Sequence, residues 1–501
     1  MHITHRDKQY SDMTLVDHLK SCGLLREQAF VDGSWVVSST NKTQIVTNPS
    51  DGSILGTVPV FSEAEVTEAI DAADVGFREW SKTLPHERAK RLRLWAELMR
   101  AECEDLAILI TLEQGKPLAE ALGEIEYAAS FFDWFAGEAE RLAPRGVTSH
   151  LPERTMEIER TPVGVAALIT PWNFPSAMIT RKAGAAIAAG CSVVVKPASE
   201  TPFSALALAA LAEHAGLPKG VFNVITGDAP TLAKVLCGDT RVRALSFTGS
   251  TTVGRTLLEW CAPSIKKVSL ELGGHAPFIV FDDADMDAAV AAAVDAKFQT
   301  TGQDCLAANR ILVHDSVYDT FVERFAERTR TLRVGDGMDS DIELGPLMNE
   351  RAVEKCEAHI SDALDKGARI LAGGERHALG GTFFTPTVLA DVTPDMAIAR
   401  EETFGPVAAL MKFRSEADVL QEANATEYGL AAYIFTNDGA RQARMARGLD
   451  FGMVAVNCVK MTGGPIPFGG TKQSGLGREG GFEGIAAFTE TKYICTHIPS
   501  I

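Results

Sequence analysis

The chain has 501 residues, of which 46% are hydrophobic and 23% are charged, as in an ordinary globular protein. This length exceeds what one core usually holds, so we expect two or more domains. The 48 basic and 66 acidic side chains give a net charge of −18. Nucleic acids and anionic membranes need a basic surface, so the charge argues against both as partners. No apolar run is long enough to predict a membrane span.

The nine cysteines are scattered and form no C-x-x-C pair, so no metal site is predicted. Their odd count indicates reduced thiols in a reducing compartment. The first residues after Met1 contain no apolar leader segment, and three aspartates among the first 17 residues argue against a transit peptide. We therefore expect a cytoplasmic protein.

The first part of the chain is predicted to be mostly helical. Apolar residues recur every three and four positions over 63–77 and 87–113, and Pro85 precedes the second run. From residue 161, short apolar runs alternate with Ala-rich helices. We expect strands at 163–169, 192–195 and 222–225, with helices at 176–189 and 204–215. This alternation predicts a parallel, doubly wound α/β sheet.

The same alternation returns after Glu271. We expect strands at 276–281, 308–314, 431–435 and 451–456, with helices at 286–298 and 317–330. Two α/β halves therefore meet near residue 271, and a catalytic cleft is expected between them. The stretches 143–160 and 493–496 also have strand character, and we expect them to be edge strands that pair outside the two cores.

A thiol and a carboxylate are both predicted to lie at turns. Cys305 follows the loop-forming residues Gly302 and Asp304, and Glu271 ends a strand-like run before Gly273–Gly274. An isolated cysteine is usually a small buried hydrophobe, and an isolated glutamate at a turn is usually solvated. At one site, however, the thiol can form an acyl-thioester and the carboxylate can activate the water that hydrolyses it.

Two further segments fit such chemistry. Asn173 stands between Pro171 and Pro175, so its amide either bonds its own turn or joins the Cys305 N–H in an oxyanion hole. The segment 247–251 joins a strand-like run to a helix, and is either a simple helix cap or an anion site for a pyrophosphate.

A literal G-x-G-x-x-G occurs at 475–480. No strand of a βαβ unit precedes it and little chain follows it, so we predict a Gly-rich loop and not a dinucleotide site.

Together these motifs resemble the aldehyde dehydrogenase superfamily over residues 28–495, and within it the succinate-semialdehyde dehydrogenase group. The stretches that carry the resemblance are 111–120, 169–182, 196–205, 401–406 and 467–470. The resemblance implies an α/β fold with two doubly wound parallel-sheet domains and a small β flap for oligomerisation. The NAD(P)-binding domain would comprise 1–142 and 161–271, the catalytic domain 272–485, and the flap 143–160 and 486–501. The flap would pair subunits into a homodimer or homotetramer.

The resemblance also implies residue roles in oxidising an aldehyde to its carboxylate with NADP or NAD. Cys305 would be the nucleophile, Glu271 the base and Asn173 the oxyanion donor. Lys196 would hold the adenosine ribose, Ser250 the pyrophosphate, and Glu402 with Phe404 the nicotinamide riboside. The implied cofactor contacts are Thr170, Pro171, Trp172, Lys196, Ser199, Gly227, Phe247, Gly249, Ser250, Leu272, Glu402 and Phe404.

Cofactor preference depends on the position three residues after Lys196. Family members that select NAD often carry a glutamate there, whereas this chain has Ser199. A serine does not repel a 2′-phosphate, so we expect NADP to be accepted. The adjacent Glu200 leaves the preference between NADP and NAD open.

The substrate pocket departs from the resembled group. Arg181 matches an arginine that holds the substrate carboxylate, but Gln299 stands where a second arginine is expected, and the segment 459–465 also differs. Succinate semialdehyde or a related ω-carboxylate semialdehyde is therefore the first expectation, and a longer, hydroxylated or sulfonated semialdehyde is the alternative. Ala307 replaces a cysteine found in part of the group, so no disulfide is expected at the nucleophile.

Other classes of protein remain open at this point. A cofactor-free thiol hydrolase would use Cys305 and Glu271 but leave Lys196, Ser250 and Glu402 without a role. A non-catalytic binding protein would not need every catalytic position to be filled. A CoA-acylating enzyme would not need Glu271 as a base that activates water.

Overall fold

The computed structural model describes residues 14–499. The first 13 residues of the predicted cofactor domain and the last two of the predicted flap therefore lie outside the described residues. Within 14–499, no helix is both long and apolar enough to cross a membrane.

The N-terminal region contributes four short strands and five helices. In chain order they are α1 (Leu15–Ser21), β1 (Ala29–Val31), β2 (Ser34–Val36), β3 (Thr43–Thr47), β4 (Ile54–Pro59), α2 (Glu63–Trp80), α3 (Pro85–Ala101), α4 (Cys103–Gln114) and α5 (Leu118–Arg141). The single helix predicted over 87–113 is wrong: α3 and α4 are separated at Glu102, whose backbone is non-helical (φ −99°, ψ 18°).

Two strands of a separate sheet and the first α/β unit follow. The elements are β5 (Arg145–Val147), β6 (Arg154–Pro162), β7 (Val165–Ile169), α6 (Ala177–Ala189), β8 (Ser192–Lys196), α7 (Pro202–His214), β9 (Phe222–Val224), α8 (Ala229–Gly238), β10 (Val242–Thr248), α9 (Thr251–Cys261) and β11 (Lys267–Glu271). The predicted alternation of strands and helices is confirmed here, with boundaries shifted by one or two residues.

The second α/β unit runs to the C-terminal region. Its elements are β12 (Ala276–Val280), α10 (Met286–Phe298), β13 (Ala308–His314), α11 (Tyr318–Arg330), α12 (Glu350–Asp365), β14 (Arg369–Ala372), β15 (Thr387–Ala390), β16 (Val407–Phe413), α13 (Glu416–Asn424), β17 (Ala431–Phe435), α14 (Gly439–Gly448) and β18 (Met453–Val456). Two last strands, β19 (Gly475–Leu476) and β20 (Thr489–His497), join other sheets.

Two main sheets form the body of the protein. The first has the order β19-β11-β10-β7-β8-β9-β1-β2, and the second has the order β14-β15-β16-β13-β12-β17-β18. Strands β7 to β11 are parallel to one another, with antiparallel strands at both edges. The second sheet is parallel except for β14. The expected α/β class with two doubly wound sheets is confirmed.

The register of the first sheet positions the site. Ile169 pairs with Lys196 and with Phe247, and Thr248 pairs with Glu271. The carboxyl ends of β7, β8, β10 and β11 therefore meet at one edge, where ligands bind in open α/β sheets.

A third, antiparallel sheet stands apart from the two cores, in the order β20-β6-β5. Thr489 to His497 pair with Pro162 to Arg154 in one continuous ladder. The two predicted edge stretches therefore pair with each other, and the second of them is longer than predicted.

Candidate active site

Asn173 is fixed by contacts on both sides of its turn. Its Nδ2 donates to the backbone oxygen of Gln303 at 3.0 Å, and its own backbone oxygen accepts from Lys116 Nζ at 2.7 Å. Lys116 forms a fully buried ion pair with Glu124, which also accepts from the backbone of Ser176 at the start of α6. The Asn173 amide is thus held against the segment that leads to Cys305.

The backbone before Cys305 is strained. Thr300 and Thr301 have φ angles of 51° and 57°, although β-branched residues rarely adopt the left-handed region. The Glu120 carboxylate compensates by accepting from the backbone N and hydroxyl of Thr300. Cys305 therefore follows a tightly held bend and begins the approach to β13, as predicted from its loop-forming neighbours.

The surroundings of Cys305 favour its neutral thiol. Burial raises its pKa well above the ordinary value, and the negative charge of Asp304 raises it further, while Arg181 opposes the shift. Because a thiolate is the attacking form, this cysteine needs a base or a bound cation before it can react.

Glu271 ends β11 and is buried. Both of its carboxylate oxygens lack a hydrogen-bond partner among the residues that the structure describes. Burial raises the pKa of this carboxyl well above its ordinary value, and repulsion from the Glu479 carboxylate adds to the shift. A methyl group added at Gly469 would lie only 2.8 Å from Glu271 Oε1, so the absence of a side chain at Gly469 leaves space for the Glu271 carboxylate. A buried carboxyl with a raised pKa and free oxygens is suited to accept a proton near neutral pH.

A buried charge cluster that sequence reasoning missed lies beside Glu271. Glu479 accepts from Arg181 Nε at 2.6 Å and from Lys182 Nζ, and it also accepts from the Ser246 hydroxyl at 3.0 Å. Lys182 also donates to the hydroxyl of Thr248 at 2.7 Å. Burial alone would raise the Glu479 pKa, but the charges of Lys182 and Arg181 outweigh it and lower the pKa.

Glu479 belongs to the G-x-G-x-x-G stretch. Except for the two residues of β19, this stretch is a loop, and its Glu479 carboxylate balances the charges of Arg181 and Lys182 on α6. The sequence contained one usable signal. Arg181 and Lys182 lie in a predicted apolar helix, and two adjacent buried cations need an anion.

A cavity of 650 Å³ opens from Cys305 toward the surface. Its inner wall includes Tyr127, Phe174, Met178, Arg181 and Phe468. Glu479 occupies only one side of the Arg181 guanidinium, and Nη1 is buried without a hydrogen-bond partner in the described protein. Gln299 lies at the exposed end of the same cavity. The structure thus brings both predicted substrate residues to the cavity that contains Cys305.

Most of the predicted cofactor residues lie along the sheet edge at which Glu271 ends β11. Lys196 ends β8, and its burial lowers its pKa to about 8. Thr170 follows β7, and its hydroxyl is buried without a partner among the described residues. Gly227 adopts a φ of 139°, and the Ser199 backbone oxygen accepts from Gln44 at 3.1 Å.

The remaining predicted cofactor residues surround the ends of β10 and β11. Ser250 caps α9 by accepting from Val253 N at 3.4 Å, and the segment is thus a helix N-terminus, as both of its predicted roles require. Phe247 is the last but one residue of β10, and its ring lies so close to Gly249 that a side chain at Gly249 would collide with it. Leu272 packs against α9 at Gly254.

Glu402 accepts from the backbone N of Gly274 at 3.0 Å, and its burial raises its pKa to about 7. Phe404, with a φ of 55°, meets the Trp172 ring edge-on at 5.6 Å, and Pro171 belongs to the same turn as Trp172. An unpartnered hydroxyl at Thr170, a buried cation at Lys196 and a glycine cradle at the sheet edge fit a dinucleotide.

Comparisons with known proteins agree with this geometry. The profile of the aldehyde dehydrogenase family matches residues 35–494. The chain is 55% identical to the non-phosphorylating aspartate-semialdehyde dehydrogenase of Halomonas elongata, covering 96% of this chain and 98% of the relative. It is 52% identical to the NADP(+) succinate-semialdehyde dehydrogenase GabD of Escherichia coli K12, covering 95% and 99%.

A solved structure, the succinate-semialdehyde dehydrogenase of Burkholderia pseudomallei, superposes with a TM-score of 0.94. It is 51% identical, and the match covers 95% of this chain and 98% of that one.

Proposed function

The chain belongs to the aldehyde dehydrogenase family, and on that premise we propose that it oxidises a short ω-carboxylate semialdehyde to the diacid with NADP or NAD. The observation that carries the substrate class is Arg181, which lines the cavity of Cys305 and whose Nη1 is buried without a hydrogen-bond partner among residues 14–499. The two named relatives act on aspartate and succinate semialdehydes, which share a four-carbon chain with a terminal carboxylate. We propose a four-carbon substrate on this basis. A longer or sulfonated semialdehyde is the alternative, because relatives named for glutarate semialdehyde and 3-sulfolactaldehyde are 52% identical to this chain.

In the proposed mechanism, Cys305 is the nucleophile and Asn173 stabilises the oxyanion. One Nδ2 proton of Asn173 is bonded to Gln303, which leaves the other for the substrate oxygen beside the Cys305 N–H. Such a donor lowers the free-energy barrier by about 3 kcal/mol. Glu271 serves as the proton acceptor that activates water for hydrolysis of the Cys305 thioester. A bound nicotinamide supplies the hydride acceptor for the oxidation.

The cofactor proposal assigns the ribose to Lys196, the pyrophosphate to the start of α9 at Ser250, and the nicotinamide riboside to Glu402 and Phe404. Support comes from the position of these residues along one sheet edge. Because Ser199 carries no charge that would repel a 2′-phosphate, we propose that NADP is accepted.

The organisation of the chain is part of the proposal. We propose a cofactor domain (1–142 and 161–271), a catalytic domain (272–485) and an oligomerisation flap (143–160 and 486–501). The flap would join copies into a homodimer or homotetramer in the cytoplasm. Nine free cysteines support a reducing compartment.

The test is the initial rate of reduced-nicotinamide formation with purified protein, using NADP and NAD separately. The substrates are succinate, aspartate and glutarate semialdehydes, a sulfonated aldehyde, and butanal as the uncharged control. The proposal predicts the highest kcat/KM for a four-carbon semialdehyde and a large loss for butanal. A higher kcat/KM for glutarate semialdehyde or the sulfonated aldehyde would show that the four-carbon assignment is wrong. Equal rates with butanal would show that Arg181 does not bind a substrate carboxylate.

A further inference from the structure

Three polar side chains at the open end of the cavity have no role in the mechanism above. Asp295 and Gln299 lie one helical turn apart at the end of α10, and Lys460 lies on the segment after β18. All three line the same cavity as Arg181 and Cys305. They therefore face the part of a substrate that lies farthest from the reacting aldehyde.

The other carboxylates that line this cavity are already engaged within the protein. Glu124 pairs with Lys116, Glu343 pairs with Arg328, Glu120 accepts from Thr300, and Asp304 accepts from the backbone of Leu306. These carboxylates therefore already have partners within the protein and are less suited to bind a ligand.

Asp295 and Lys460 differ from these groups. The side chains of both are exposed, and neither side chain makes a hydrogen bond or an ion pair with a residue in the described range 14–499. The Asp295 carboxyl nevertheless interacts with cations of the cavity wall: partial burial raises its pKa, and the positive charges of Lys460 and, to a smaller extent, Arg328 oppose that shift. Two opposite charges thus face one cavity at a separation too large for direct contact. A ligand with one positive and one negative group complements this arrangement.

We propose that the cavity mouth recognises an amino-acid end, with Lys460 binding the substrate carboxylate and Asp295 binding an ammonium on the adjacent carbon. The inference rests on the proposed function and refines it: the substrate is a 2-amino semialdehyde of four carbons. Arg181 contacts the same carboxylate from the inner side of the cavity.

The residue at position 299 supports this assignment. The resembled group carries an arginine there, whereas this chain has Gln299. An arginine beside Asp295 would neutralise the carboxylate and repel a substrate ammonium. Glutamine removes that charge, and Lys460 provides a cation on the other side of the opening.

The test compares kcat/KM for aspartate semialdehyde, succinate semialdehyde and butanal in Asp295→Asn and Lys460→Met. Asp319→Asn and Lys90→Met are the matched controls, because both residues are exposed and neither lines the cavity. Asp295→Asn is expected to lower kcat/KM for aspartate semialdehyde about tenfold and to leave succinate semialdehyde within about twofold. Lys460→Met is expected to lower both about tenfold and to leave butanal unchanged.

An Asp295→Glu variant, which keeps the charge, should retain most of the preference for the amino substrate. The inference is overturned if Asp295→Asn affects both semialdehydes equally or affects neither. This outcome is distinct from failure of the proposed function, in which the wild-type protein itself oxidises butanal as efficiently as either semialdehyde. Thermal unfolding of each variant shows that the comparison is made between folded proteins.

Discussion

At the residue scale, Cys305 lies where its surroundings oppose ionisation, and Asp304 is one cause that can be changed. Asp304→Asn removes a negative charge while keeping an oxygen that can accept from Leu306. Removing the charge favours the thiolate, so the midpoint of the pH profile of iodoacetamide alkylation should move to lower pH. The measurement is the alkylation rate of the cofactor-free protein against pH. An unchanged midpoint, or one at higher pH, would contradict the proposed electrostatics.

Ser199 is a second residue whose charge decides a measurable property. Ser199→Glu places a carboxylate three positions after Lys196, where we propose that the ribose binds. Repulsion of the 2′-phosphate should lower the ratio of kcat/KM for NADP to that for NAD by about tenfold or more. Ser199→Ala, which adds no charge, should leave the ratio within about twofold. If the two variants behave alike, the ribose does not lie at this position.

At the element scale, the turn between β11 and β12 lies directly against the bend that carries Cys305. A methyl group at Gly274 would collide with the backbone oxygen of Cys305, although the backbone conformation of Gly274 is one that alanine tolerates. Gly274→Ala should therefore shift the nucleophile and lower kcat about 100-fold, since a displacement of about 1 Å is enough for such a loss.

The control is Gly439→Ala at the start of α14, where a methyl group meets open space. We expect its kcat to stay within about twofold of the wild type. Wild-type kcat in a folded Gly274→Ala protein would show that the turn does not position Cys305.

The sequence predicted the repeating elements well because a buried parallel strand is a short apolar run and an amphipathic helix has a period near 3.6. The break at Glu102 was missed because neither Pro nor Gly marks it. The positive φ angles of Thr300 and Thr301 could not be expected, since threonine disfavours them. The bend is stabilised by distant groups, among them the Glu120 carboxylate, which lies 180 residues earlier and accepts from Thr300.

In the candidate site, too, local features were predicted from the sequence and long-range contacts were not. The turns at Asn173 and Cys305 and the end of β11 at Glu271 are local features, and their predicted positions were confirmed. The partnership of Glu479 with Arg181 and Lys182 spans about 300 positions, and no local pattern reports a pairing of that range. The roles proposed for these residues remain predictions.

At the scale of the whole molecule, the third sheet stands apart from both cores and carries the exposed apolar side chains of Val147 and Tyr493, with exposed Ile498 directly after its last strand. Exposed apolar groups on a sheet outside the core indicate an interface. We predict that light scattering after size exclusion gives at least twice the monomer mass. Tyr493→Lys should lower this mass or make it concentration-dependent, whereas a wild-type monomer at all concentrations would contradict the proposed flap.

The most direct test of the central claim is a rapid-mixing measurement of NADPH formation with succinate semialdehyde in the wild type and in Glu271→Gln. If Cys305 forms a thioester that Glu271 helps to hydrolyse, the variant should release about one NADPH per active site and then turn over about 100-fold or more slowly. If the wild type forms no NADPH from the aldehyde but hydrolyses a carboxylic ester through Cys305 without cofactor, the protein is a thiol hydrolase. An unchanged steady-state rate in Glu271→Gln would remove Glu271 as the base.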